Sequence, residues 1–177
     1  YCDSNYATCP DTRRSVTGYA FVMNGGVVSW SSKLQKTVAA STTEAEYMAA
    51  CSATMATAHI RMLFYDMTYL GTKQWRESSQ RLPTIPSVLM IDNEATVQIA
   101  KNGKLTRKTR HIESRFHFVR QGQHDGTHQL YWIPCDSQLA DILTKTQTSS
   151  KIDPHLNKIF STLPDHLLSP SPISTEI

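Results

Sequence analysis

The feature that most constrains the fold is a long helical pattern between two strand patterns. From Ser41 to Gly71, small and apolar residues recur along one stripe, which predicts a helix ending at Gly71. The stretch SVTGYAFVMNGGVVSWSS before it predicts two strands joined by a turn at Asn24-Gly25-Gly26. The run SVLMID after it, residues 87–92, is typical of a buried strand. A long helix between strands favours a right-handed crossover to a parallel neighbour of the first strand.

Shorter patterns predict the remaining elements. We expect a strand end in the first four residues, a loop over 72–86, helices over 93–102, 107–122 and 136–145, the last capped by Asp136, and a strand over 128–134. Gly103 is expected to close the first of these helices, and the second is expected to end near Gly122. Residues 1–145 are therefore interpreted as one α/β domain with a truncated first strand and a mixed five-stranded sheet flanked by helices. Residues 146–177, rich in Pro, Ser and Thr, predict a poorly ordered tail with at most a short helix near HLNKIFSTL.

Composition excludes several classes of protein. No apolar run reaches the roughly 18–20 residues that span a membrane, and no signal peptide is visible. The four cysteines contain no C-x-x-C pair, which argues against a zinc site and favours reduced thiols in an intracellular protein. Because the chain begins at Tyr1 rather than at a methionine, we expect it to be part of a longer protein.

The net charge of +3 is small, but its distribution is uneven. Between Lys101 and Arg120 the chain carries seven Lys/Arg residues against one acid, Glu113. One-sided charge of this kind favours a polyanionic partner, although a solvated basic segment without a partner is also consistent with it. The candidate phosphate contacts in this segment are Arg107, Lys108, Arg110, His111 and Arg115. Arg13 and Arg14, in the loop before the second strand, form a second candidate pair.

Four acidic positions stand where the predicted elements bring side chains together. They are Asp3 on the first strand, Asp92 at the end of the 87–92 strand, Glu44 or Glu46 in the first helical turn, and Asp141 in the last helix. Each could instead cap an element or face solvent. Gathered carboxylates repel one another unless a cation joins them, and oxygen ligands suit Mg²⁺ or Mn²⁺. With the basic segment nearby, the pattern favours a metal-dependent phosphodiester hydrolase.

Local rules do not choose between Glu44 and Glu46. Two residues apart on a helix, they point in nearly opposite directions, so only one can join the other acids. Ser41-x-x-Glu44 and Thr43-x-x-Glu46 both match the capping-box pattern. One weak difference is that small residues follow Glu46 along its face of the helix, which leaves more room there for ions and substrate.

Six motifs in order resemble one known family. YCDSNYA, DTRRSVTGYAF, VSWSSKLQKTVAASTTEAEYMAA, IDNEATVQIAKN, TRHIESRFHFVR and QLADILTK together resemble the ribonuclease H domain of copia-type retrotransposon Pol polyproteins, over Tyr1 to about Lys145. The resemblance implies a ribonuclease H-like fold and hydrolysis of the RNA strand of RNA–DNA hybrids, with two Mg²⁺ ions that Mn²⁺ can replace. It also implies a reverse transcriptase domain upstream in the same polyprotein. The implied location is intracellular, in a cytoplasmic virus-like particle or the nucleus.

The family's site residues carry over position by position. Its metal-binding acids match Asp3 in YCD, Glu46 before YMAA, Asp92 in IDN and Asp141 in LADILTK. Glu44 is then left to the helix cap. Two alternatives stay open: a degenerate element that folds and binds nucleic acid without cutting it, and a related nuclease or integrase. The second alternative fits less well, because those families space their acids differently.

Overall fold

A computed structural model describes residues 1–69, 86–102 and 113–160. Its strands are β1 (Cys2–Asn5), β2 (Val16–Met23), β3 (Gly26–Leu34), β4 (Ser87–Ile91) and β5 (His128–Trp132). Its α-helices are α1 (Thr42–Tyr69), α2 (Glu94–Asn102), α3 (Glu113–His124) and α4 (Ser149–Phe160). Two short 3-10 helices, Cys135–Ser137 and Leu139–Leu143, lie between β5 and α4. The molecule is an α/β protein, as predicted.

The predicted hairpin joins β2 to β3. Asn24 and Gly25 adopt φ values of 50° and 82°, the left-handed region that a tight two-residue turn requires. The strands pair antiparallel from Val16 opposite Leu34 to Met23 opposite Gly26, with a bulge between Phe21 and Val22. The Asn-Gly signal therefore located this turn correctly, because few other residues tolerate positive φ.

The single five-stranded sheet expected from the sequence is not what the described residues form. They form two sheets, an antiparallel one in the order β1-β2-β3 and a parallel one of β4 and β5. β1 and β4 are neighbours, with the Cys2 thiol 4.0 Å from the Met90 carbonyl oxygen, but no backbone ladder joins them. β1 has only four residues, so a parallel ladder over this overlap gains few hydrogen bonds.

Helix α1 covers both sheets and closes one continuous core. Tyr47, Ala50 and Ala53 of α1 pack with Cys2 of β1 and with three buried side chains of the second sheet, Leu89, Ile91 and Leu130. Small residues on this face of α1 let the helix approach the strands closely. Shared burial under α1, rather than backbone pairing, therefore holds the two sheets side by side.

The region after β5 differs from the helix predicted over 136–145. It contains the two 3-10 helices, and Asp136 lies inside the first of them instead of capping a longer helix. The second is capped by Gln138, whose side chain accepts a hydrogen bond from the Ala140 amide. Beyond it, Ser149–Phe160 forms α4, which overlaps the short helix considered near HLNKIFSTL and begins earlier in the segment expected to be a poorly ordered tail. The predicted loop 72–86 lies outside the described residues except for Pro86, and Gly71, Gly103 and the start of the predicted 107–122 helix lie wholly outside them.

α3 ends near Gly122, as predicted, but Gly122 itself lies inside the helix. The helix continues to His124 and ends in a Schellman motif, in which Gly126 has φ +70° and the Thr127 amide donates to the Gly122 carbonyl at 2.8 Å. Gly122 serves packing instead. A Cβ added there would lie 2.3 Å from Cε1 and 2.6 Å from Nδ1 of His128, which is fully buried.

We predict that Gly122→Ala destabilises the protein by up to about 2 kcal/mol, because an overpacking cost of about 1–3 kcal/mol at His128 exceeds the gain of about 1 kcal/mol in helix propensity. Urea denaturation measures the change. Gln121→Ala, at an exposed neighbouring position, serves as the matched control. In a His128→Ala background the cost of Gly122→Ala should largely disappear, and equal costs in both backgrounds would contradict the assigned contact.

Candidate metal site and nucleic-acid interface

Asp3 is presented from the middle of β1. It pairs with Gly18 of β2, and its side chain is almost fully buried. The Thr144 hydroxyl donates a short hydrogen bond to Asp3 Oδ2. Gly18 makes this approach possible, because a Cβ at that position would lie 2.6 Å from the Thr144 methyl carbon.

The first turn of α1 separates the two glutamates of the EAEYMAA motif. The Ser41 hydroxyl accepts from the Glu44 amide at 3.1 Å, and Glu44 Oε2 accepts from the Ala40 amide at 2.6 Å, so Glu44 takes part in the helix cap. Glu46 points instead towards β1. Its Oε1 accepts hydrogen bonds from the amide and the hydroxyl of Ser4, at 3.3 and 3.1 Å.

Asp92 follows β4 directly and precedes α2. Asn93 caps that helix, since its Oδ1 accepts from the Thr96 amide at 2.9 Å. The Trp132 indole donates to the Asp92 carbonyl at 3.1 Å. The cap and the indole hold the backbone at Asp92 at the carboxyl end of its strand.

Asp141 is carried by the second 3-10 helix, which Gln138 ties to β1. The fully buried Gln138 side chain donates to the Cys2 carbonyl at 2.9 Å. Asn5 makes a second tie, donating to the Thr144 carbonyl at 3.2 Å. These contacts place Asp141 beside Asp3, although the two residues are far apart in the chain.

Three of the four predicted acids converge. Carboxylate oxygens of Asp3, Asp92 and Asp141 all lie within 4.8 Å of one another. Glu46 lies beside this group, and its Oε2 is buried with no hydrogen-bond partner among the described residues. A buried carboxylate oxygen without a donor is costly unless a cation or proton satisfies it. The oxygen-only donor set suits Mg²⁺ or Mn²⁺, so these residues fit the implied metal.

The electrostatics of the site reflect this crowding. Burial, together with the charges of Asp3 and Asp92, raises the pKa of Glu46 to about 9. Burial also raises the pKa of Asp3 to about 6, although the Thr144 hydrogen bond and the charge of Lys145 oppose the rise. Without a cation, the folded protein therefore favours protons on these carboxyl groups.

Lys145 is a member of the site that the sequence did not single out. Its ammonium lies 2.8 Å from Asp141 Oδ1 and 3.7 Å from Asp3 Oδ2. Burial by itself lowers the pKa of Lys145, but the hydrogen bond to Asp141 and the nearby carboxylates raise it above its ordinary value. The available signal was the spacing of four residues between Asp141 and Lys145. The same spacing is typical of an ordinary ion pair on a helix, so it did not single out Lys145.

The predicted phosphate contacts are only partly described. Arg107, Lys108, Arg110 and His111 lie outside the described residues. Arg13 is exposed in the loop between β1 and β2, and the guanidinium of the neighbouring Arg14 donates to the Thr12 hydroxyl at 3.0 Å. Arg115, in α3, lines a groove of about 630 Å³. Residues of β3 and α1 also line this groove.

This groove is basic along its described lining. Lys33, Lys36 and His59 line it with Arg115, and no Asp or Glu does. Gln35 also lines the groove, and its side chain donates to the Ala45 carbonyl at 3.0 Å, next to Glu46 in the chain. Sequence reasoning missed Lys33 and Lys36, since two lysines near a strand end are an ordinary pattern for solvent-exposed residues.

We predict that the protein in EDTA becomes less stable as the pH rises from about 6.5 to 8.5. Glu46 has a raised pKa in the folded state, so over this range the unfolded chain has lost a proton that the folded protein keeps. The expected slope is about 1 kcal/mol per pH unit. His128, whose pKa burial lowers to about 4, contributes only below this range.

Melting temperatures at several pH values measure this effect. Glu46→Gln removes the titrating group and should flatten the dependence, whereas Glu44→Gln should leave it in place. Saturating Mg²⁺ should offset the loss in the parent protein, because it stabilises the ionised carboxylates. A parent protein whose stability rises through this range would contradict the assignment.

Comparison with known proteins relates the chain to transposon polyproteins. No family model matches it. It is 33% identical over 153 residues, 86% of its length, to the Retrovirus-related Pol polyprotein from transposon TNT 1-94 of Nicotiana tabacum. It is 30% identical to the Retrovirus-related Pol polyproteins from transposons RE1 and RE2 of Arabidopsis thaliana, over 90% and 82% of its length. The chain spans only about a tenth of each relative, 10%, 10% and 9% respectively. Over most of its length, its homologues are therefore retrovirus-related Pol polyproteins of transposons.

Proposed function

We propose that the chain is the ribonuclease H domain of a copia-type retrotransposon Pol polyprotein, and that it hydrolyses the RNA strand of RNA–DNA hybrids during reverse transcription. The observation that carries the proposal is the meeting of Asp3, Asp92 and Asp141 within 4.8 Å, beside the unpartnered carboxylate oxygen of Glu46. The similarity to Pol polyproteins supports a neighbouring reverse transcriptase domain in the same polyprotein, and hence an intracellular virus-like particle or the nucleus as its location. No helix among residues 1–69, 86–102 and 113–160 has the length and apolarity to cross a membrane.

Asp3, Glu46, Asp92 and Asp141 are the residues that would hold the metal ions. Two Mg²⁺ ions, when bound there, supply a nucleophilic water at neutral pH and stabilise charge on the leaving oxygen. The chain's own contribution is to present the four carboxylates from separate elements. Ser4 orients Glu46, Thr144 orients Asp3, and Gln138 anchors the segment that carries Asp141.

In this proposal the basic groove binds the phosphates of the substrate. Phosphate contacts from Lys and Arg provide most of the affinity for nucleic acid and do not read its sequence. Gln35, which lines the groove, donates to the Ala45 carbonyl in the first turn of α1, and this contact supports the proposal that the groove guides a bound strand towards the acidic site. Selection for RNA at the cut strand rests on its 2′-hydroxyl groups.

Cleavage of a labelled RNA–DNA hybrid tests the proposal. Mg²⁺ should support cleavage and EDTA should abolish it. Glu46→Gln and Asp92→Asn should each lower the rate by more than about 100-fold, because even outer-shell partners of metal ligands contribute about 10–100-fold. Glu44→Gln, which changes only the cap, should retain most of the activity.

Three outcomes would contradict this scheme. Cleavage that persists in EDTA or in Asp92→Asn would exclude the metal mechanism. Loss of activity in Glu44→Gln with activity retained in Glu46→Gln would reverse the assigned roles. A folded parent that binds the hybrid but does not cut it would identify a degenerate, inactive domain.

The groove makes a separate prediction for binding in EDTA. Lys33→Ala/Lys36→Ala should weaken binding of the hybrid and reduce the slope of log K against log salt by about 1 for each lysine. Fluorescence anisotropy at several salt concentrations measures both quantities. Lys151→Ala, an exposed lysine of α4 outside the groove, is the control, and an unchanged slope in the double variant would exclude the groove as the binding surface.

A further inference from the structure

Lys145 is the basic side chain that touches the acidic cluster in the part of the chain the structure describes. Its ammonium is 2.8 Å from Asp141 and 3.7 Å from Asp3, so it bridges two of the three carboxylates that converge. The chain brings Lys145 to the cluster, because Lys145 directly follows Thr144, the residue whose hydroxyl donates to Asp3. Lys145 and Thr144 thus act on the same carboxylate from adjacent positions.

The two contacts differ in how easily they can be broken. Thr144 is buried, and its short β-branched side chain has little freedom to turn away from Asp3. The Lys145 side chain is 39% exposed and ends a flexible four-carbon stem, so its ammonium can turn out to water while the backbone stays in place. A compact, mobile cation is therefore held where a metal ion would need the same oxygens.

We propose that Lys145 is an internal counter-ion that holds Asp3 and Asp141 together in the metal-free protein and that a divalent cation must displace on binding. Lys145 is then a positioning residue that sets the concentration at which the site fills. This inference rests on the metal site of the proposed function. It adds a competition between the Lys145 ammonium and the metal ion. Removing the ammonium should therefore lower the stability of the metal-free protein and raise its affinity for the metal.

The first test compares Lys145→Met with the parent protein. Methionine keeps an unbranched stem of similar length and removes the charge. In EDTA the variant should melt at a lower temperature, because the carboxylates lose their counter-ion. Titration calorimetry with Mn²⁺ should nevertheless show tighter binding, by roughly tenfold, since no ammonium has to be displaced.

A residue that only supported the fold would give a different result, because lost packing lowers stability and metal affinity together. Lys145→Arg, which keeps the charge, should bind Mn²⁺ no more tightly than the parent. Lys151→Met, an exposed lysine away from the acids, should match the parent in both measurements. Unchanged or weaker Mn²⁺ binding by Lys145→Met would overturn the inference.

The second test uses the unmodified protein and so does not depend on a variant that folds. Amine-reactive labelling followed by peptide mass spectrometry measures the exposure of each lysine. Saturation with Mn²⁺ should speed the labelling of Lys145 severalfold and leave Lys151 unchanged. Equal or slower labelling of Lys145 would overturn the displacement.

The two proposals fail in distinguishable ways. If the parent protein binds no Mn²⁺, the metal site and the role of Lys145 are both wrong. If the parent binds Mn²⁺ and cuts the hybrid but Lys145 neither alters affinity nor changes its exposure, only the inference on Lys145 fails.

Discussion

The candidate site depends first on a buried side chain, that of Gln138, with Asn5 making a second tie between the same two segments. The Gln138 amide donates to the Cys2 carbonyl of β1 and accepts from the Ala140 amide, so a single fully buried group joins the segment after β5 to the first strand. Burying an amide costs free energy unless its hydrogen bonds are made. The segment is therefore favoured in the position that makes both of these bonds. Asp141 then lies beside Asp3, and the remaining acids approach from α1 and the end of β4.

Carboxylates brought together in this way oppose folding unless their charge is compensated. Protons, Lys145 and divalent cations are the three available forms of compensation, and they compete for the same oxygens. Compensation by a proton is seen in the raised pKa of Glu46. Compensation by Lys145 is seen in its 2.8 Å contact with Asp141. An arrangement that is costly when empty but stabilised by cations is typical of a site that binds metal.

Sequence patterns predicted the secondary structure well where the signal was local. The Asn24-Gly25 turn and the helix α1 follow from residues a few positions apart, and both are present. The apolar stripe marks the buried face of α1 only in part, because Ala45 and Met48 are buried whereas Leu63 and Met67 are exposed. Patterns failed where a distant contact determined the outcome. The helix predicted over 136–145 is replaced by 3-10 turns that Gln138 anchors to β1. α3 does end near Gly122, but Gly122 lies inside the helix, where its missing side chain accommodates His128.

The two glutamates of EAEYMAA show this division most clearly. The sequence by itself determined that a helix begins near Ser41 and that either glutamate satisfies the same capping rule, because a cap is formed by neighbours in the chain. Only the tertiary structure separated them. It places Ser4 of β1 against Glu46, a contact across 42 residues, and leaves Glu44 with the cap at Ala40 and Ser41. Local hydrogen-bond rules cannot specify such a contact, since it exists only once β1 has packed against α1.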